Sequence, residues 1–203
     1  MKLKKTLTVS LFLILFTYAA ARIFFQYYPK SKWVPNSKMV IGDKVDSLNG
    51  VYVFYNGKVG NVTARNTTAD GYNLGLEYQC VEFVKRYYYE HFNHKMPNSY
   101  GHAKDFYNKS IPDGQKNVDR NLIQYSNPSK SKPKVNDLVI YKATAFNKFG
   151  HVAIVSKVHN KKIEIIQQNP GPFHSSRETY TLKNKDGTWK ISHDGILGWL
   201  RKE

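Results

Sequence analysis

The chain has 203 residues, 41% of them hydrophobic and 14% aromatic, with 31 basic against 15 acidic side chains and a formal net charge of +16. That length suits one domain plus a short appendage, and that apolar content excludes a disordered chain. The basic excess invites a nucleic-acid reading, but the lysines run along the whole sequence with no arginine-rich helix or aromatic-basic ribbon, so no nucleic acid is expected as a partner. Diffuse positive charge suits anionic envelope polymers or a membrane surface instead.

At the N-terminus Lys2, Lys4 and Lys5 precede an apolar run from Leu7 to Ala21, interrupted only by Thr8, Ser10 and Thr17. Residues 1–28 therefore read as a secretory signal peptide or an N-terminal membrane anchor. Ala19-Ala20-Ala21 before Arg22 fits a cleavage site. Retained, residues 6–25 would anchor the protein to the inner membrane, with Tyr27 and Tyr28 at the interface. The run falls short of the ~20 residues a span needs, which favours cleavage. No cysteine follows it, which excludes a lipoprotein anchor. Either way the domain is expected in the periplasm or cell envelope.

Residues 29–48 read as a polar lead-in, and residues 49–203 as one domain. Gly50 to Gly57 is β-rich and ends in Asn56-Gly57, which predicts a hairpin with Val59 to Thr63 returning. Asn66 to Asn73 reads as a loop. Val81, Val84, Tyr88 and Phe92 stand at helical spacing, so a helix is expected over Cys80 to Phe92. Gly101 to Lys109 is a shorter helix candidate, and Pro128 to Pro133 a basic loop. Strands are expected at Asp137–Tyr141, His151–Val158 and Lys162–Gln168, with two more at Trp189–Ser192 and Ile196–Leu200. One helix followed by successive strands implies an α+β domain with the helix packed on an antiparallel sheet.

The one cysteine, Cys80, sits where a polar loop enters the helix, and His151 opens an apolar strand. A thiol and an imidazole so placed are the working parts of a cysteine amidase. A free thiol has a pKa near 8.5. Lowering it to ~6 takes about 3.4 kcal/mol, of which a helix N-terminus supplies ~0.5–2. A nearby histidine is expected to supply the rest.

Tyr78-Gln79-Cys80-Val81-Glu82-Phe83, followed by Gly150-His151-Val152-Ala153-Ile154, resembles the CHAP (cysteine- and histidine-dependent amidohydrolase/peptidase) family of the papain-like NlpC/P60 group. Gly150 to Val155, Ile166-Gln167-Gln168-Asn169 and Ile196-Leu197-Gly198-Trp199 are most similar to its glutathionylspermidine-amidase branch. The resemblance implies a papain-like fold, with Cys80 as nucleophile and His151 as base and acid. That branch has a glutamate where Gln167 stands. An amide can orient the ring but brings no charge. Glu164, an odd number of strand steps away, should face the other side, and Asn169 shares the face of Gln167. The oxyanion is expected to meet the Cys80 N–H and a donor from the Tyr78-Gln79 turn, with Gln79, Tyr78 and Asn169 as oxyanion- or substrate-binding residues.

His91, His94 and His102 hint at a metal, but no second cysteine or HExxH pattern supports one, so neither metal nor cofactor is expected. The Tyr87-Tyr88-Tyr89 run reads mainly as core, with a sugar- or peptide-binding wall as the alternative, and Trp199 reads as core. The sequence thus points to an exported, monomeric cysteine amidohydrolase cutting an amide bond in peptidoglycan peptide or another amide-containing envelope substrate. The alternatives are an amidase on a glutathionylspermidine-like conjugate and a catalytically weak wall-binding module.

Overall fold

The computed structural model describes residues 15–19, 39–171 and 174–203. Two compact units divide at residues 35 and 36. Of the first, residues 15–19 are helical, and the rest of the export or anchor reading lies outside the described residues. No helix among the described residues is long and apolar enough to cross a membrane.

The second unit is α+β, as expected. Among the described residues twelve strands run in chain order: β1 (Lys44–Leu48), β2 (Val51–Phe54), β3 (Arg65–Thr67), β4 (Asn73–Leu76), β5 (Gln115–Asn117), β6 (Leu122–Ser126), β7 (Leu138–Tyr141), β8 (His151–His159), β9 (Lys162–Ile166), β10 (Arg177–Lys185), β11 (Thr188–Ile191) and β12 (Ile196–Arg201). Between β4 and β5 lie the helix α1 (Cys80–Phe92) and a 3-10 turn at Ala103–Phe106. Eight strands form one antiparallel sheet in the order β11-β10-β9-β8-β7-β12-β6-β5, while β1-β2 and β3-β4 are separate hairpins.

Alternation along the strands sends side chains to two faces. Leu138, Ile140, Val152, Ile154 and Ile166 cluster with Phe83, Val84, Tyr87 and Tyr88 of α1. Val139, Ala153, Val155, Ile163 and Ile165 form a second cluster with Leu182, Ile191 and Trp199. The central strands are thus buried on both sides, which explains their continuous apolar runs. Helix α1 ends at Asn93, whose left-handed φ of 49° and N–H bond to the Tyr88 carbonyl close the last turn.

The hairpin lies upstream of its expected place. β2 pairs with β1, not with Val59 to Thr63, and Leu48 faces Val51 across Asn49-Gly50. Both turn residues have positive φ, 48° and 84°, as a two-residue hairpin turn with the right twist requires. Asn56 is buried and ties the following loop, its amide donating to the Lys58 and Asn61 carbonyls and accepting from the Tyr78 N–H. Of residues 66 to 73, expected as a loop, 68 to 72 are one, while Asn66, Thr67 and Asn73 belong to the β3–β4 hairpin. The second helix shrinks to one 3-10 turn.

Candidate active site

A cleft of about 920 Å³ opens where the start of α1 meets the start of β8, and both Cys80 and His151 line it. Cys80 is the first residue of α1 and His151 the first of β8. Gly150 makes that strand start sharp. It has a φ of +72°, and a Cβ there would stand 2.6 Å from the Tyr141 carbonyl and 2.9 Å from Cβ of Lys104. Only glycine fits both demands.

The start of α1 is held by Gln168, which is fully buried. Its amide N–H groups donate to the Gln79 carbonyl (3.1 Å) and to Glu82 Oε2 (2.9 Å), and its oxygen accepts the Phe54 N–H (2.8 Å). Glu82 is buried too, paired with Arg86 at 2.6 Å and bonded by Asn66. One residue thus joins the end of β9, the helix start and β2. Gly75 of β4 permits the fit, because a Cβ there would lie 3.1 Å from the Glu82 backbone.

The histidine side is set by Gln167, also buried. The Gln167 amide nitrogen donates to the Ser175 carbonyl (3.0 Å), which leaves its oxygen to accept from His151 Nε2 (3.0 Å). The ring therefore carries its proton on Nε2, and Nδ1 remains as the basic nitrogen. The register explains the meeting. Ile154 faces Ile166, so Gln167 falls opposite Ala153 and diagonal to His151 on one face of the sheet. Glu164 turns away, bonded to Ser156 and Arg177.

The Val152 N–H acts on the Cys80 sulfur, so the thiol lies against the residue next to His151. Burial pushes the thiol up to about 11, although the N–H groups of Val152, Val81 and Cys80 itself pull it down. Burial also pushes the His151 ring down to about 4, against the favourable pull of Gln167 and Glu178. The two groups rest as a neutral pair. The thiol lowered by helix end and histidine together, as expected from the sequence, is not what the resting site shows: a helix end offers ~0.5–2 kcal/mol, desolvation outweighs it, and the His151 ring is itself held neutral.

Gln79 and Asn169 line the cleft, while Tyr78 is not among its lining residues. The Gln79 amide donates to the carbonyls of Val59 (3.2 Å) and Asn61 (2.7 Å). Asn169 donates to Val59 (2.8 Å) and to Gln79 Oε1 (2.8 Å). The Tyr78 N–H is bonded to Asn56 and the Gln79 N–H to the Leu76 carbonyl. These donors strap the 56–61 loop to the helix start. Asn169 has no bond to the His151 ring and does not share the role of Gln167.

The cleft rim is apolar, with Val59, Val62, Tyr100, Phe149 and the fully exposed Phe146. Arg65 and Lys148 are among its lining residues, and no Asp or Glu is. None of Tyr87, Tyr88 and Tyr89 reaches it. Among the described residues no cluster of three or more His, Cys, Asp or Glu is placed to hold a metal ion. His94 instead meets the Arg120 carbonyl, and His91 meets Asn49.

Sequence reasoning passed over Gln168, Glu82, Glu178 and Gly150. Glu82, Gln168 and Gly150 stand inside the family-like motifs, and for the first two a polar residue within an otherwise apolar run is the available signal.

A model of the CHAP domain matches residues 68–169, about half of the chain. Trypanothione synthetase of Crithidia fasciculata is 30% identical over 129 residues, covering 62% of this chain and 20% of that protein. Glutathionylspermidine synthase of Crithidia fasciculata is 30% identical over 144 residues, covering 63% and 19%. The bifunctional glutathionylspermidine synthetase/amidase of Escherichia coli (strain K12) is 29% identical over 140 residues, covering 63% and 22%. The chain thus spans about a fifth of the length of these curated relatives.

Proposed function

The chain belongs to the CHAP domain family, and on that premise we propose that it is an exported cysteine amidohydrolase that cuts an amide bond in peptidoglycan peptide. The observation that carries the reading is the pairing itself. The Cys80 sulfur lies against Val152 in a cleft that His151 lines, and Gln167 occupies the other ring nitrogen.

The chemistry runs from a neutral pair. As Sγ of Cys80 attacks the carbonyl carbon, its proton passes to Nδ1 of His151, and the developing oxyanion meets the Cys80 N–H. The imidazolium then gives the proton to the leaving amine. Water, deprotonated by the same ring, opens the thioester. No hydrogen bond joins thiol and ring here, and such contacts commonly tighten when substrate binds.

The substrate reading rests on compartment and charge. The N-terminal run reads as an export segment, and the polymer outside a bacterial membrane is the wall. The names of the curated relatives favour a second substrate, a glutathionylspermidine-like conjugate. Its polyamine arm would enter a cleft with Arg65 and Lys148 but no carboxylate to meet it.

Mass spectrometry of purified peptidoglycan incubated with the protein tests this reading. New fragments are expected from the wild type and none from Cys80→Ala, a loss of about 10⁴-fold or more. A trapped acyl group on any residue other than Cys80 refutes the mechanism. Glutathione released from glutathionylspermidine, with the wall left intact, selects the second substrate.

A further inference from the structure

The site has an amide where a carboxylate would stabilise imidazolium, yet a carboxylate stands one strand further out. In the β9–β10 pairing Glu178 faces Ile165, which places it diagonal to Gln167 on the face that Gln167 and His151 share. Glu178 is built into a network there. His174 Nδ1 contacts its Oε1 at 2.5 Å, and the Tyr180 hydroxyl donates to its Oε2 at 2.5 Å. The Tyr141 hydroxyl donates to Tyr180 at 3.3 Å, and the Tyr141 ring centre lies 5.6 Å from that of His151. His193 packs edge-on against both tyrosines.

We propose that Glu178 is a positioning residue that supplies, through Gln167 and from behind His151, the negative charge that Gln167 lacks. The kinetic part of this inference rests on the amidase reading above. Charge and hydrogen bonding are divided between two residues on neighbouring strands: Gln167 orients the ring and fixes its tautomer, while Glu178 favours the ring's charged form. The division matters at one moment, when His151 holds the proton taken from Cys80.

The electrostatics agree in sign. Burial opposes ionisation of Glu178, but His174, Tyr180 and the Gln167 amide together hold its carboxyl below the usual range. Its charge in turn raises the affinity of the His151 ring for a proton, while His174, when protonated, works against it. The remaining titratable groups facing this cluster are Tyr141, Tyr180 and His193 behind the ring and Cys80 in front of it.

The test is an NMR titration of the His151 ring in the full chain, beside kcat and KM. In Glu178→Gln the ring midpoint is expected to fall by about one unit and kcat by about tenfold with KM retained. Glu178→Asp should keep most of both. Gln167→Glu/Glu178→Gln, which returns a charge to the contacting position, should restore the midpoint and the rate; a merely structural role for Glu178 would give no such rescue. An unmoved midpoint in folded Glu178→Gln overturns the inference, as does a double variant without recovery. The titration needs no substrate, so a protein that cuts no amide fails the functional reading alone.

Discussion

On the cysteine side, the thiol is carried by a helix whose first turn is anchored in buried charge. Glu82 is paired with Arg86 and bonded by Asn66 and Gln168. On the histidine side, the ring stands at the tip of a strand, and behind it lie a neutral amide and, beyond that, Glu178. The first arrangement stabilises position and leaves the nucleophile unassisted by any charged side chain. The second leaves position to strand register and tunes the affinity for a proton. Substitutions beneath Cys80 should therefore cost stability, and those behind His151 should cost rate.

Glu82→Ala is the strongest test of the cysteine half. It strands Arg86 in a buried position and removes one of the two acceptors of Gln168, and breaking a buried pair on one side costs about 3–5 kcal/mol. Urea denaturation should read the loss, and a stability change under about 1 kcal/mol would end the distinction between the halves. Gln167→Leu tests the other half. It frees the ring to take either tautomer, so kcat should fall by about 10–100-fold while the unfolding midpoint moves little. Gln167→Glu should keep or raise activity, and a collapse to the level of Cys80→Ala would remove Gln167 from its orienting role.

The smallest effect is a shape. With the ring near 4 and the thiol near 11, kcat/KM should stay level across neutral pH. It should fall below about pH 4, where His151 is already protonated and cannot take the thiol's proton. At the other end, above about pH 11, the thiolate forms but the ring holds no proton for the leaving amine. A bell centred near pH 6 with both limbs within two units would point instead to a preformed ion pair.

How much of this was legible depends on the residue. Helix α1 was legible because Val84 and Tyr88 at helical spacing are buried and Asn93 ends it in the left-handed region, although Gln79 at its start makes no side-chain cap. β8, which opens on His151, and β9, which ends one residue before Gln167, were legible from apolar runs, but their register was not. The hairpin was misplaced because two Asn-Gly pairs compete, and only Asn49-Gly50 has strand on both sides. Glu82, Lys85 and Arg86 are charged yet buried, because β2 and β4 pack against the helix. Lys85 donates to the Asn73 and Ser99 carbonyls, and burial lowers it to about 7. Such pairings are non-local, so no periodicity reveals them. Glu178 was hidden for the same reason, since it meets Gln167 only through the β9–β10 pairing.

The composition of the cleft wall has a kinetic consequence. Arg65 and Lys148 face the solvent path with no acidic neighbour among the lining residues, in a chain with a formal charge of +16. A substrate bearing carboxylates is then drawn in from beyond contact range, and encounter rather than chemistry becomes the salt-sensitive step. At ~0.15 M ionic strength the field decays over about 8 Å, so the advantage shrinks as salt rises while the bond-breaking rate stays the same.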